Sequence, residues 1–127
     1  MQIHGFFDIV EHMRLIKEPI LIGELKKIAE NQFGDLVKAV VDVRQEIMVI
    51  GGELHADEEV FLTEHRESKR EDVWGINLYP DMTGEDFVEF DSMINLKPAL
   101  HNRSRGVENK DTQEKIRKIV ATLVEQQ

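Results

Sequence analysis

The sequence predicts a single α+β domain, a mainly antiparallel sheet with about three helices packed largely on one face. Three observations carry that expectation. The stretch Val73-Trp74-Gly75-Ile76-Asn77-Leu78-Tyr79 alternates with the period of a strand, placing Trp74, Ile76 and Leu78 on one side and Gly75, Asn77 and Tyr79 on the other. Two further runs are largely apolar, as strands covered on both faces are: one holds Val37, Ala39, Val40, Val41 and Val43, the other is Ile47-Met48-Val49-Ile50. Helical spacing marks the regions near 21–33 and 111–125, and the acidic run after Gly51-Gly52 marks a helix start for the region near 56–65. At 127 residues the chain can close one hydrophobic core and needs no second domain.

Met1 to His12 holds a small apolar cluster, Phe6, Phe7, Ile9 and Val10, and Met13-Arg14-Leu15-Ile16-Lys17 reads as a short strand. Met13 could itself start translation, so the expected organisation is an N-terminal extension over 1–12 and a domain over 13–127. Facing outward, Phe6 and Phe7 would support a homodimer; they could equally fold back. After Glu18-Pro19, the positions Leu21, Leu25, Ile28 and Ala29 keep helical spacing up to about Gly34. Arg44-Gln45-Glu46 turns the valine-rich strand into Ile47–Ile50 as a hairpin, and Gly51-Gly52 closes that run.

A short helix is expected to run through about Glu64, with Asp57, Glu58 and Glu59 in its first turn complementing the helix dipole. Those carboxylates read equally well as solvated helix-start residues. Glu67 to Asp72 reads as a solvated connector. Pro80 to Asp86 is turn-like, and Phe87 to Lys97 looks like a long strand. Paired with Tyr79 opposite Phe87, it would set Asn77 against Glu89 and Gly75 against Asp91. Pro98 to Lys110 has no period, and its segment His101-Asn102-Arg103-Ser104-Arg105-Gly106 is dense in hydrogen-bond donors. Asp111 with Glu114 resembles a capping box for the final helix, whose stripe is Ile116, Ile119, Val120 and Leu123.

Composition narrows the chemistry. The absence of cysteine removes disulfides, thiolate metal sites and thiol nucleophiles, and fits a cytoplasmic location. A net charge of −9 works against nucleic acid as a partner. No apolar run approaches the length of a membrane span, so no membrane partner is expected.

The chemically capable residues gather at Gly51–Glu59, the polar strand faces and the Asn102–Arg105 loop, which are expected to converge. His55 and Asp91 are the candidate catalytic pair: an imidazole titrates near neutrality, and a carboxylate can orient it. Asn77, Glu89, Asn95, Asn102, Arg103 and Arg105 are the candidate ligand-binding residues, with the two arginines suited to gripping an anion. The same arginines could instead bridge Asp91, Glu89 or the acidic helix start and tie the loop to the sheet. His55, Asp57, Asp91 and His101 include metal-ligand types, but no spacing matches a closed site, and neither a metal nor a cofactor is assigned. No nucleotide loop, nucleophile elbow or HExxH motif is present. Two functions follow as expectations: binding of a small anionic molecule or the acidic group of a protein partner, or hydrolysis of a phosphate-bearing substrate, nucleic acid included, with His55 as general base or metal ligand.

Four stretches, Gly51–Glu59 (GGELHADEE), Trp74–Pro80 (WGINLYP), Glu89–Leu96 (EFDSMINL) and Asn102–Val107 (NRSRGV), resemble a family of short prokaryotic proteins catalogued as a domain of unknown function. The resemblance extends from about Met13 to the C-terminal helix and leaves out the first dozen residues. It implies one coherent compact domain and transfers no catalytic residue. Leu21-Ile22-Gly23 departs from the pattern, standing where a polar helix start is expected.

Overall fold

A computed structural model describes residues 12–126. The expectations placed on residues 1–11, an extension and a dimer contact through Phe6 and Phe7, lie outside the described residues. Five strands form one antiparallel sheet in the order β1-β4-β3-β5-β6: β1 (Arg14–Ile16), β3 (Val37–Asp42), β4 (Ile47–Ile50), β5 (Val73–Leu78) and β6 (Val88–Glu89). The helices are α1 (Ile22–Asn31), α2 (His55–His65) and α3 (Lys110–Leu123). Because β4 and β5 both run antiparallel to β3, they are parallel to each other, and α2 is the crossover between them. Among the described residues no helix is long and apolar enough to cross a membrane.

Strand alternation sorts the core into two layers. Ala39, Val41, Met48, Ile50, Trp74, Ile76 and Leu78 pack with Leu25 and Ala29 of α1 and with Ile116, Ile119, Val120 and Leu123 of α3. Val40, Val49 and Val73 pack on the opposite face with Leu62 of α2. Among the described residues, α1 and α3 therefore share a face and α2 packs on the other.

Three local expectations are corrected. The long strand over Phe87–Lys97 shrinks to Val88–Glu89: Asn77 pairs with Glu89 and Leu78 with Val88, as the register predicts, and then the chain leaves the sheet. Ser92 accepts the Ile94 N–H at 3.2 Å and starts a 3-10 turn over Met93–Asn95. Asn95 then takes the place of a strand beside Gly75, its Oδ1 accepting the Gly75 N–H at 2.8 Å and its Nδ2 donating to the Gly75 carbonyl at 3.0 Å. Side chains that bond to backbone compete with ladder pairing, and here they win.

The cap of α3 is Asn109, which accepts the Thr112 N–H at 2.9 Å, so the helix starts before the expected Asp111–Glu114 box. Its far end turns extended, and β7 (Val124–Glu125) pairs parallel with β2 (Ile20–Leu21). That pairing accounts for the apolar Leu21-Ile22-Gly23 start: the residue before α1 is strand, and it makes no side-chain cap bond. In the expected solvated connector, Ser68 is buried and donates to Asp42 Oδ2 at 2.6 Å.

Candidate functional site

The polar locus is a row of residues crossing the sheet beneath the first turn of α2. Register places Lys38 of β3 opposite Asn77 of β5, and Asn77 opposite Glu89 of β6. On the far side of Lys38 lies Gly51, whose N–H reaches the Lys38 carbonyl. One step along the sheet the row reads Val49, Val40, Gly75, so the polar line borders an apolar floor with one residue lacking a side chain.

Helix α2 presents an unusual face to this sheet. Its buried residues are His55, Glu58, Glu59 and Leu62, the spacing of an apolar stripe filled mostly by polar side chains, while Val60 on the outside is 48% exposed. The reading of these carboxylates as solvated therefore fails for Glu58 and Glu59. Glycines make the close packing possible. A Cβ on Gly52 would come within 2.7 Å of Glu58 Cγ, and Gly51 has φ +87° with no room against the His12 carbonyl. A Cβ on Gly75 would meet Ser92 Oγ at 2.5 Å and His55 Cγ at 3.2 Å.

His55 lies over Gly75 with its Nε2 2.8 Å from the Ile76 carbonyl oxygen. A carbonyl only accepts, so Nε2 carries the proton and the neutral ring keeps its lone pair on Nδ1. Burial lowers the imidazole pKa below its ordinary 6.5, against the raising effect of the Ile76 carbonyl; Lys38 lowers it further, and Asp91 and the Asn77 carboxamide oppose that. Asn77 Oδ1 is itself buried and has no hydrogen-bond partner among the described residues, and the Asn77 carboxamide favours the cation of the ring.

Glu58 is fully buried. Its Oε2 accepts the Gly52 N–H at 2.9 Å, while Oε1 has no partner among the described residues. Burial pushes this carboxyl well above the usual 4.5, with the Gly52 N–H and then Lys38 pulling it back and Asp57 adding to the rise. Lys38 thus acts electrostatically on both buried groups. It forms no ion pair among the described residues, and its Nζ lies 5.4 Å from the centre of the Phe33 ring.

The structure brings together His55, Asn77, Glu89 and Asp91. Asn77 Nδ2 donates to Glu89 Oε1 at 2.9 Å and Tyr79 donates to the same oxygen at 3.0 Å. Arg105 reaches this group by pairing with Asp91 at 2.7 Å, the bridging role foreseen beside its anion-gripping one. Asn95 spends its carboxamide on Gly75 and on the Arg105 carbonyl. Asn102 donates to the carbonyls of Asn95, Ser104 and Gly106 and accepts the Glu108 N–H, organising its own loop. Arg103 is exposed, its backbone N–H donating to Glu108 Oε2, and no hydrogen bond or ion pair joins it to His55. Among the described residues no group of three or more His, Asp or Glu side chains is placed to hold a metal ion.

Sequence reasoning missed Lys38, Glu58 and Ser92. Lys38 interrupts a valine-rich strand, and Glu58 falls at helical spacing from His55 and Leu62; both patterns were visible signals.

Fold and locus together define a small α+β domain that buries a polar cluster beneath its crossover helix. The chain belongs to the family described as Protein of unknown function (DUF5674), whose model matches residues 14–123, and this bears out the resemblance read from the sequence. No curated protein and no solved structure gives a significant match.

Proposed function

We propose that this domain binds a small anionic ligand where Lys38 meets the first turn of α2. The observation that carries the reading is Lys38: a half-buried lysine without a carboxylate partner among the described residues, close to a helix start that no side chain caps. Helix N-termini favour negative charge because their N–H groups are unpaired and the dipole is positive there. Asn95 and Asn102 have spent their donors, and Arg105 is held by Asp91, so Lys38 takes the leading role and Arg103 and Arg105 are at most secondary contacts. An acidic group of a protein partner would meet the same donors. A cytoplasmic setting belongs to this reading, supported by the lack of cysteine.

Thermal unfolding with and without inorganic phosphate and small carboxylates tests it. Saturation at a hundred times the dissociation constant stabilises by about 2.7 kcal/mol, and Lys38→Ala should remove the shift. Absence of any shift across the panel, or a shift that persists in Lys38→Ala, would sink the proposal.

One observation favours a second reading, hydrolysis at a phosphate-bearing substrate. The Ile76 carbonyl orients His55 with Nδ1 as the basic nitrogen, the arrangement a general base needs. In that case His55→Ala should abolish turnover and leave affinity within a few-fold. Equal turnover in the variant would exclude His55 as the base.

A further inference from the structure

Beside the Lys38 locus lies a cavity of about 510 Å3, lined by His12, Asn31, Gln32, Phe33, Glu53 and Leu54. Its volume falls within the range of small-molecule sites. Three connections join it to the polar row. Phe33 carries the Lys38 ammonium over its ring at 5.4 Å. Gln32 Nε2 donates to the Gly51 carbonyl at 2.7 Å, and Leu54 immediately precedes His55 at the start of α2.

The walls are chemically divided. Phe33 is 44% exposed and Leu54 59% exposed, which offers an aromatic ring and a branched aliphatic side chain to a ligand. Asn31 supplies an exposed carboxamide, whose paired donors and acceptor suit the edge of a planar heterocycle. Gln32 shapes the wall instead of reading the ligand: the Gly51 carbonyl holds its Nε2, and its Oε1 is buried. A plain aliphatic acid would leave the Asn31 amide unused, and inorganic phosphate would leave the aromatic ring unused.

We infer that the anion taken by this domain is a nucleoside monophosphate, its base lodged against Phe33 in this cavity and its phosphate met by Lys38 at the first turn of α2. The inference rests on the anion-binding reading and adds the class of molecule that carries the anion. Base stacking on an aromatic side chain tolerates every base, so the ring supplies affinity more than discrimination among bases.

Isothermal titration of the full chain with AMP and CMP, ribose 5-phosphate, adenosine and inorganic phosphate tests the inference. The nucleotides should bind at least about fivefold more tightly than ribose 5-phosphate, because stacking on one aromatic contributes that much or more. Phe33→Ala should erase the advantage of the nucleotides over ribose 5-phosphate, Phe33→Trp should keep it, and Lys38→Ala should weaken nucleotides and ribose 5-phosphate alike. Equal affinity for AMP and ribose 5-phosphate would overturn the base site and leave the anion reading standing. A nucleotide preference that survives Phe33→Ala would also overturn it. Binding of adenosine as tight as AMP, or no binding by any of the phosphates, would overturn both.

Discussion

His55 Nε2 donates to the Ile76 carbonyl at 2.8 Å, across the space left by the missing side chain of Gly75. The bond sets the tautomer, and burial holds the ring neutral at pH values where a free histidine begins to charge. Nitrogen-detected NMR should find the neutral Nε2–H form with a pKa below 6.5. Asp91 favours the cation, so Asp91→Asn should lower that pKa further. The sign for stability follows: the unfolded chain takes up a proton near 6.5 before the folded protein does, so this contribution is complete above 6.5 and falls as pH drops through that value. A folded-state pKa at or above 6.5 would contradict the desolvation account.

Gly75→Ala should destabilise by about 1–3 kcal/mol, the cost of forcing extra volume into a packed site. The new methyl meets Ser92 Oγ and Cβ at 2.5 and 2.6 Å. In a Ser92→Gly background the same change should cost at least about 1 kcal/mol less, because the two positions are in contact. Denaturant unfolding of the four proteins measures the coupling, and strict additivity would contradict it.

Asn95→Ala should cost about 2–4 kcal/mol, since it strips buried partners from both the N–H and the carbonyl of Gly75 and from the Arg105 carbonyl. Hydrogen exchange at the Gly75 amide should accelerate well beyond that of the neighbouring β5 amides. Unchanged protection there would mean that another group had taken over the pairing.

Glu58 reverses the usual direction of carboxylate linkage. Its folded-state pKa is raised, so the folded protein holds a proton that the unfolded chain has lost above about 4.5, and stability from this group declines as pH rises through and beyond that value. Glu58→Gln keeps the shape and removes the titration. Melting temperatures of the wild type should fall relative to the variant between pH 5 and pH 8, while parallel curves would show that Glu58 ionises at no cost.

Periodicity records burial, and it made much of this fold legible. The two faces of Val73–Leu78, the Val37–Ile50 hairpin and helices α1 and α3 follow from it, and the Asn77–Glu89 pairing follows once Tyr79 is set opposite Phe87, because parity along a strand decides which side chains share a side. The departure of the chain after Glu89 leaves no such trace. It depends on Ser92 bonding locally and on Asn95 reaching Gly75, twenty residues away in sequence, through an amide that imitates a strand. The interior acids were missed for a different reason. Carboxylates at helical spacing ordinarily mark a solvated face, so His55, Glu58, Glu59 and Leu62 do not read as a buried stripe although they form one. Departures of this kind concentrate at functional or strained sites, and here they coincide with the polar row under α2.

The two-residue pairing of Ile20–Leu21 with Val124–Glu125 joins segments separated by nearly the whole domain. Ile20 and Val124 are each 3% exposed, so each shelters the other's surroundings. During synthesis the chain can make its hairpin and its crossover while Ile20 still waits for a partner that is made long after it. Nascent chains halted before Val124 should therefore be more sensitive to proteases around Ile20 than released ones, and a contact of two residues would set the moment at which the domain closes.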